Sequence, residues 1–442
     1  MRSACGGRDF GVTVLMIALF GAGATAGPEE SATLGQSMLL ARLDEIRAIG
    51  EVMREQTWPG FDPLAVPAVF HEPGGWAFAI GYSEPPAGFT ALEGVKHGER
   101  AIYRATSGTF SHQGGSPAII NGKWSVISTF DPPRTLPAGP RMGREAGEAG
   151  LGRFVGDAFA IFLMEQRERS TPLVTGSAAY PESAELMALT TLEQRAMTAP
   201  LQMANLTEKN IDEFHRMVRT VVAIRRARWS LMGEELAGIE REIELTEGLR
   251  LFTATMVHRH ALNRALASTD PGRNDPTFVR WTNSGALRML GMGYPMFSTV
   301  DNPAFTLPQV AVRGAVLGAL LDKTATPWRP QGVDGDTALI EILARTEKLE
   351  PEAEPALLAA AKEEHRYEPL LSLAKEDLER LRLDRDLWVR RYLPPGPGHL
   401  EIVLTAGDLA TYADDPWSTG HLGEGRLTHP GGLTLKGAGL DL

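Results

Sequence analysis

The sequence predicts an α+β fold: a small N-terminal antiparallel sheet, then a mainly helical domain, then a short C-terminal β appendage. Three observations predict it. Short β-rich runs broken by Gly and Pro occupy residues 60–135, apolar residues recur at helical spacing over most of residues 150–392, and β-rich runs return after residue 394. The chain has 442 residues, of which 43% are hydrophobic and 22% charged, a composition typical of proteins that bury a core.

The first 26 residues have the pattern of an export signal. Arg2 and Arg8 form a basic start, Gly11–Phe20 is a short apolar run, and Gly21–Ala26 supplies the small residues that a signal peptidase recognises. The apolar run is shorter than the roughly 20 residues of a membrane-spanning helix. We expect cleavage after residue 26, a periplasmic or secreted protein, and no integral membrane span after cleavage; an uncleaved anchor is the alternative.

Cysteine content and net charge narrow the possible functions. The single cysteine, Cys5, lies inside the export segment, so the processed chain would have no disulfide, thiolate ligand or thiol nucleophile. The formal net charge is −11. Because binding to nucleic acid requires a basic surface, this balance argues against a nucleic-acid partner.

Residues 27–140 are predicted to form an N-terminal helix followed by the β-rich subdomain. Ser31–Thr57 is amphipathic, and Pro59-Gly60 ends it. Asn121-Gly122 between two apolar runs is a strong hairpin signal. The predicted strands are Val66–Phe70, Trp76–Ile80, Ala101–Tyr103, Ala118–Ile120 and Trp124–Phe130.

Residues 141–393 are predicted to be the mainly helical domain, and residues 394–442 a linker with the β appendage. The last predicted helix, Pro355–Tyr392, is interrupted near Tyr367–Pro369. Pro394–Gly398 has the composition of a linker, and strands are predicted at Leu400–Leu404 and Leu433–Lys436. The other predicted helices are Gly150–Arg169, Ser183–Gln202, Thr207–Leu231, Glu234–Leu266, Pro308–Lys323 and Thr337–Lys348.

Several segments occur in an order that resembles one family. They are Trp58–Pro63 (WPGFDP), the helix with Phe154–Phe162 (FVGDAFAIF), a Leu/Glu-rich helix at Glu185–Leu201, Ile239–Leu249 with its spaced glutamates, and Gly314–Asp322 followed by Trp328. In this order the chain resembles exported bacterial zinc-metallopeptidases of the gluzincin type, which carry HExxH and a later Glu. The resemblance implies a zincin-like helical domain.

The resemblance assigns roles to four positions. In HExxH, two His four residues apart share a helix face and bind zinc, and the Glu between them is the general base. The first His position is Gly156, the base is Asp157, the second His is Ala160, and the later Glu ligand is Glu247. Glycine and alanine have no side-chain donor atoms. We therefore expect no metal, no cofactor and no catalytic residue here; zinc would be expected only if this interpretation is wrong.

Two other uses of the remaining carboxylates are possible. Asp157, Glu244 and Glu247 could form an oxygen-only site for Ca²⁺ or Mg²⁺. Alternatively, Arg250, three residues after Glu247, could pair with a carboxylate and take the charge role of the metal. None of the ten histidines is spaced H-x-x-x-H with another, so the histidines suggest no replacement ligand pair.

The function that these observations favour is an exported, non-catalytic, metallopeptidase-like protein that binds a peptide, glycan or protein partner. Two alternatives stay open at this stage. One is a hydrolase whose ligands come from residues far apart in sequence. The other is a structural envelope component that docks through its helical surface or its C-terminal β tail.

Overall fold

The computed structural model describes the greater part of the chain. The predicted export segment and the predicted strand at Leu400–Leu404 lie outside the described residues. No described helix is both long and apolar enough to cross a membrane. The described residues are 28–72, 75–105, 110, 116–129, 140–171, 181–203, 206–257, 307–324, 326–392, 420–423, 426–428, 436–437 and 440–441.

The elements follow the predicted order of helix, sheet, helices and short strands. The helices are α1 (Pro28–Gln56), α2 (Pro140–Gln166), α3 (Ala184–Gln202), α4 (Ile211–Met232), α5 (Glu234–Ile243), a π-turn (Glu244–Gly248), α6 (249–257), α7 (Leu307–Lys323), α8 (Arg329–Asp334), α9 (Leu339–Thr346), a 3₁₀ turn (Pro351–Ala353), α10 (Glu354–Glu364) and α11 (Tyr367–Tyr392). The strands are β1 (Ala68–His71), β2 (Ala77–Ile80), β3 (Phe89–His97), β4 (Arg100–Ala105), β5 (Ala118–Ile120), β6 (Lys123–Thr129), β7 (Gly420–Gly423), β8 (Arg426–Thr428), β9 (Lys436–Gly437) and β10 (Leu440–Asp441).

The N-terminal sheet has six strands in the order β3-β4-β2-β1-β6-β5 and is mixed. Four of its strand pairs are antiparallel, as predicted, but β1 and β6 pair in parallel. The predicted antiparallel character holds for most of the sheet, and the single parallel pair is the part that the sequence did not predict. A hairpin signal predicts pairing only between strands that are consecutive in sequence. The residues of β1 pair with residues of β6 that lie 58 positions later in the chain, after it has passed from the β3 edge of the sheet to the β5 edge.

The hairpin predicted at Asn121-Gly122 is present between β5 and β6. Both residues have positive φ, 51° and 74°, which is the backbone of a two-residue turn matched to strand twist. The break predicted in the last helix is also present, since α10 ends at Glu364 and α11 begins at Tyr367. Fold class α+β is confirmed.

An aromatic cluster attaches the N-terminal segment to the helices. The Trp58 ring stacks on Phe159 of α2 at 4.5 Å between centroids and meets Trp328 edge-on at 5.6 Å. Its indole Nε1 donates to Thr253 Oγ1 of α6 at 2.9 Å, so the polar atom of this fully buried side chain is satisfied. Trp58 therefore fixes the chain entering the sheet against α2 and α6, the two helices of the candidate site.

Candidate functional site

Helix α2 lies against the π-turn and α6 at the positions where the resembled family would carry histidines. A Cβ at Gly156 would lie 3.0 Å from the Arg250 carbonyl oxygen and 3.4 Å from the Ala254 Cβ, so the glycine allows close approach of the two backbones. Ala160, one turn later, is buried and lines a crevice with Thr246 that is too narrow for a water molecule. The small side chains at 156 and 160 thus mark a direct helix–helix contact.

Arg250 bridges the two acidic residues at this crossing. Its Nε donates to Glu247 Oε2 at 2.7 Å and its Nη1 donates to Asp157 Oδ1 at 2.5 Å. The Asp157 side chain is 1% exposed and that of Arg250 is 33% exposed. The ion pair expected between Arg250 and Glu247 is therefore present, and its guanidinium also reaches across to α2.

The sheet contributes one further contact to Asp157. The hydroxyl of Ser116, at the start of the β5 hairpin, hydrogen-bonds to the Asp157 carboxylate and accepts the backbone N–H of Ile127 at 3.0 Å. Burial nevertheless raises the pKa of Asp157 above its usual range, against the opposing effects of Arg250 and Ser116. For Arg250, burial lowers the pKa, but the two carboxylates outweigh it and the net shift is upward.

These residues do not fit a zinc ion. Positions 156 and 160 offer no donor atoms, and the remaining carboxylates, Asp157 and Glu247, already share one guanidinium. A divalent cation beside Arg250 would meet its positive charge at close range. The described residues contain no group of three or more His, Cys, Asp and Glu with metal-site geometry.

Asp157, Glu247 and Arg250 form a triad, the Arg250 triad. Glu244 does not join it, contrary to the grouping that the sequence suggested. Residues 244–248 form a π-turn, whose i→i+5 bonding makes a wider turn than an α-helix. Glu244 and Glu247 therefore diverge more than residues three apart on an α-helix. Glu247 faces Arg250, whereas Glu244 is fully buried and accepts from Arg225 of α4.

Glu244 belongs instead to a buried charge network across four helices. Each member is fully buried, and the three carboxylates balance the three guanidinium groups. Such a network survives only if its charges are mutually paired, because desolvating an isolated ion is costly. Its members are Glu193 of α3, Arg225 and Arg228 of α4, Glu240 of α5, Glu244 of the π-turn and Arg313 of α7.

Glu240 is the best-connected acid of this network. It accepts from Arg228 Nη1 at 2.8 Å, from Arg313 Nη2 at 2.9 Å and from the Trp229 indole at 2.9 Å. Burial opposes ionisation, but the facing guanidinium groups hold the pKa of Glu240 well below its usual range. Glu244, which accepts a hydrogen bond from Arg225, instead has a raised pKa because burial outweighs the opposing guanidinium groups.

Sequence reasoning missed this network. A signal was present, because Arg225 and Arg228, three residues apart, follow directly on the apolar run Val221–Ile224 of a helix that is predicted to pack into the core. Glu240 and Glu244, four residues apart, likewise share one helix face. The sequence does not show which of these arginines and glutamates pair across helices.

Arg167, which directly follows α2, links the π-turn to the end of α8. It donates to the carbonyl oxygen of Leu245 at 3.1 Å and to those of Gly332 and Val333, near the end of α8, at 2.7 and 2.8 Å. The C-terminal carbonyls of a helix lack intrahelical partners, so a cation there is favourable. Burial lowers the pKa of Arg167 to about 10, yet the side chain stays charged at neutral pH.

The described histidines lie outside the candidate site residues. His97 contacts Asp44 at 3.1 Å, His215 contacts Glu347 at 2.9 Å, and His71 lies 3.3 Å from the Thr129 hydroxyl. His365 caps the end of α10. His258 and His260 fall outside the described residues.

Replacing Arg250 with leucine should lower the free energy of unfolding by about 1–3 kcal/mol, less than for a fully buried pair because Arg250 is partly exposed. The loss arises because buried Asp157 would keep no guanidinium partner among the contacts seen here. Chemical denaturation measures it, with exposed Arg153→Leu of α2 as control. Adding Asp157→Asn to Arg250→Leu should recover part of the loss; equal stability of Arg250→Leu and the wild type would contradict the bridging role.

The raised pKa of Asp157 predicts a pH dependence with a definite sign. Because the folded-state pKa lies above the unfolded one, ionisation of Asp157 opposes folding, and this cost disappears as the pH falls through the folded-state pKa. The wild type should therefore gain stability relative to Asp157→Asn as the pH is lowered from about 7 to about 4. Paired denaturation curves across that range measure the difference, and a difference that is constant with pH would refute the assignment.

No protein-family model, no curated protein and no solved structure matches this chain significantly. The resemblance to gluzincin-type metallopeptidases therefore stays a prediction based on the motifs alone.

Proposed function

We propose that this chain is an exported, non-catalytic protein on a metallopeptidase-like scaffold, which acts by binding a peptide, glycan or protein partner. The observation that carries the proposal is the position of Arg250, whose guanidinium lies between Asp157 and Glu247. In a metallopeptidase the corresponding carboxylates would serve the metal and its water. Here both carboxylates instead share one guanidinium of the protein itself.

The contact at Gly156 adds independent support. Because a Cβ there would already meet the Arg250 carbonyl oxygen at 3.0 Å, an imidazole at this position would require α2 and α6 to move apart. The packing of α2 against α6 thus leaves no room for an imidazole at the position of the family's first zinc ligand. Export rests on the pattern of residues 1–26 and is part of the proposal.

Metal loading tests the non-catalytic part of the proposal. The purified full chain is incubated with excess zinc, dialysed and measured by mass spectrometry for bound metal, beside a peptidase screen with and without chelator. We expect less than stoichiometric zinc and no chelator-sensitive cleavage. One tightly held zinc per chain, or cleavage that a chelator abolishes, would overturn the proposal and restore a hydrolase.

Peptide and glycan arrays test whether a partner contacts the partly exposed carboxylate of this site, Glu247. A ligand selected by the wild type should bind Glu247→Gln, in the triad, at least tenfold more weakly, a loss of about 1.4 kcal/mol. Glu376→Gln, an exposed carboxylate on α11, is the matched control and should bind as the wild type does. If Glu247→Gln and the control bind equally well, the partner does not contact Glu247.

Fusing residues 1–26 to a reporter enzyme that is active only after export tests the localisation. We expect reporter activity in the periplasm or medium, and its loss when the apolar run Gly11–Phe20 is interrupted by two lysines. Activity that persists without the apolar run would contradict an export role for this segment.

A further inference from the structure

A separate cavity shares no lining residue with the Arg250 triad. It has a volume of about 340 Å³ and opens between α1, the hairpin that joins β3 to β4, and the loop around Asp62 and Leu64. Pockets that hold small molecules commonly span about 300–1,000 Å³. Its size is therefore sufficient for a small solute.

The lining carries both signs of charge. Two of its guanidinium groups are held in place by the protein. Arg47 contacts the ring of His97 at 3.0 Å, and Arg100 donates to the Leu64 carbonyl oxygen and approaches Asp62 at 3.5 Å. The charged residues of the lining are Arg47, Arg54, Arg100, Glu51, Asp62 and Glu99.

Among the described residues, one cation of the lining, Arg54, and two anions, Glu51 and Glu99, have no ion pair. Glu51 and Arg54 are three residues apart on α1, where an ion pair is geometrically possible. Arg42 and Glu45 on the same helix do pair, at 2.8 Å. Glu51 and Arg54 instead both line the cavity and make no ion pair or hydrogen bond with any residue that the structure describes.

We propose that this cavity binds a small zwitterion, such as an amino acid or a short peptide, with its carboxylate on Arg54 and its ammonium group on Glu51. An anion without a cationic group would face Glu51 and Glu99, and a cation without an anionic group would face three arginines. A ligand that carries both charges matches the lining. Arginine suits the carboxylate because its planar guanidinium donates two parallel hydrogen bonds to it.

Three related probes test the charge requirement by calorimetry on the full chain. They are L-alanyl-L-alanine, its N-acetyl form, which is only anionic, and its C-terminal amide, which is only cationic. We expect the zwitterion to bind with a Kd in about the millimolar range or below, and each capped form at least tenfold more weakly. Equal binding of the acetylated form and of inorganic phosphate would show a simple anion site and overturn the proposal, as would no binding of the zwitterion.

Two variants locate the site. Arg54→Gln and Glu51→Gln should each weaken binding of the dipeptide by about tenfold, the loss of one charge-assisted contact. Glu55→Gln, on the same helix but outside the lining, should leave binding unchanged. Because all three residues are exposed, thermal melts should confirm intact folding. Unchanged binding by Arg54→Gln and Glu51→Gln would place the ligand elsewhere and refute the proposal.

Discussion

Replacing Glu240 with alanine is expected to lower the free energy of unfolding by about 3–5 kcal/mol, the largest effect we predict. The change removes the acceptor of Arg228, Arg313 and the Trp229 indole at once. Two buried guanidinium groups would then lose one of their counter-charges inside the helical core. Equilibrium denaturation followed by circular dichroism measures the loss.

Glu341→Ala is the matched control for this prediction. Glu341 pairs with Arg226, which also belongs to α4, but its side chain is 37% exposed and that of Arg226 is 29% exposed. Water can replace a lost partner there, so we expect a cost of no more than about 1 kcal/mol. Similar losses for Glu240→Ala and Glu341→Ala would show that burial does not increase the free-energy cost of breaking these ion pairs.

Replacing Gly314 with alanine should cost about 1–3 kcal/mol or more, through overpacking. A Cβ at this position would lie 2.8 Å from both the Cα and the carbonyl oxygen of Glu244, and 2.9 Å from the Cα of Gly248. These are backbone atoms of a neighbouring helix, so no rotamer change can relieve the clash. Helix α7 would have to move away from the π-turn, and Arg313 would move with it.

Gly238→Ala provides the control, with the opposite sign expected. Gly238 lies within α5, and nothing lies within 4 Å of where its Cβ would be. Alanine there should stabilise the chain by about 0.5–1 kcal/mol, the helix-propensity difference between the two residues. Thermal and chemical denaturation of both variants test the pair. If Gly314→Ala matched Gly238→Ala in sign, close packing at Gly314 would not limit stability.

Much of the fold could be predicted from the sequence because its signals are local. Apolar spacing identified the helical region, and Asn121-Gly122 identified a hairpin whose two positive φ values those residues tolerate. The parallel pairing of β1 with β6 could not be predicted this way. It depends on where the chain returns after a crossing, and no short-range pattern encodes that return.

Part of the candidate site could be predicted from the sequence, and part could not. The contact between Arg250 and Glu247 follows from three-residue spacing, and Asp157 was placed near them by the resemblance. The network of Glu193, Arg228 and their partners joins four helices, and its contacts depend on tertiary packing. A list of charges in the sequence gives no indication of which arginine meets which glutamate.

The π-turn at Glu244–Gly248 also affects how this part of the chain can be aligned with other proteins. A π-turn contains one residue more than the α-helical turn it replaces, so residues before and after it follow helical phases that differ by about 100°. A helical-wheel projection drawn across residues 234–257 would place residues 249–257 about 100° from their true direction. Deleting one residue within the turn should restore a regular helix and rotate Arg250 away from Asp157, which makes the insertion itself the feature that aims Arg250 at α2.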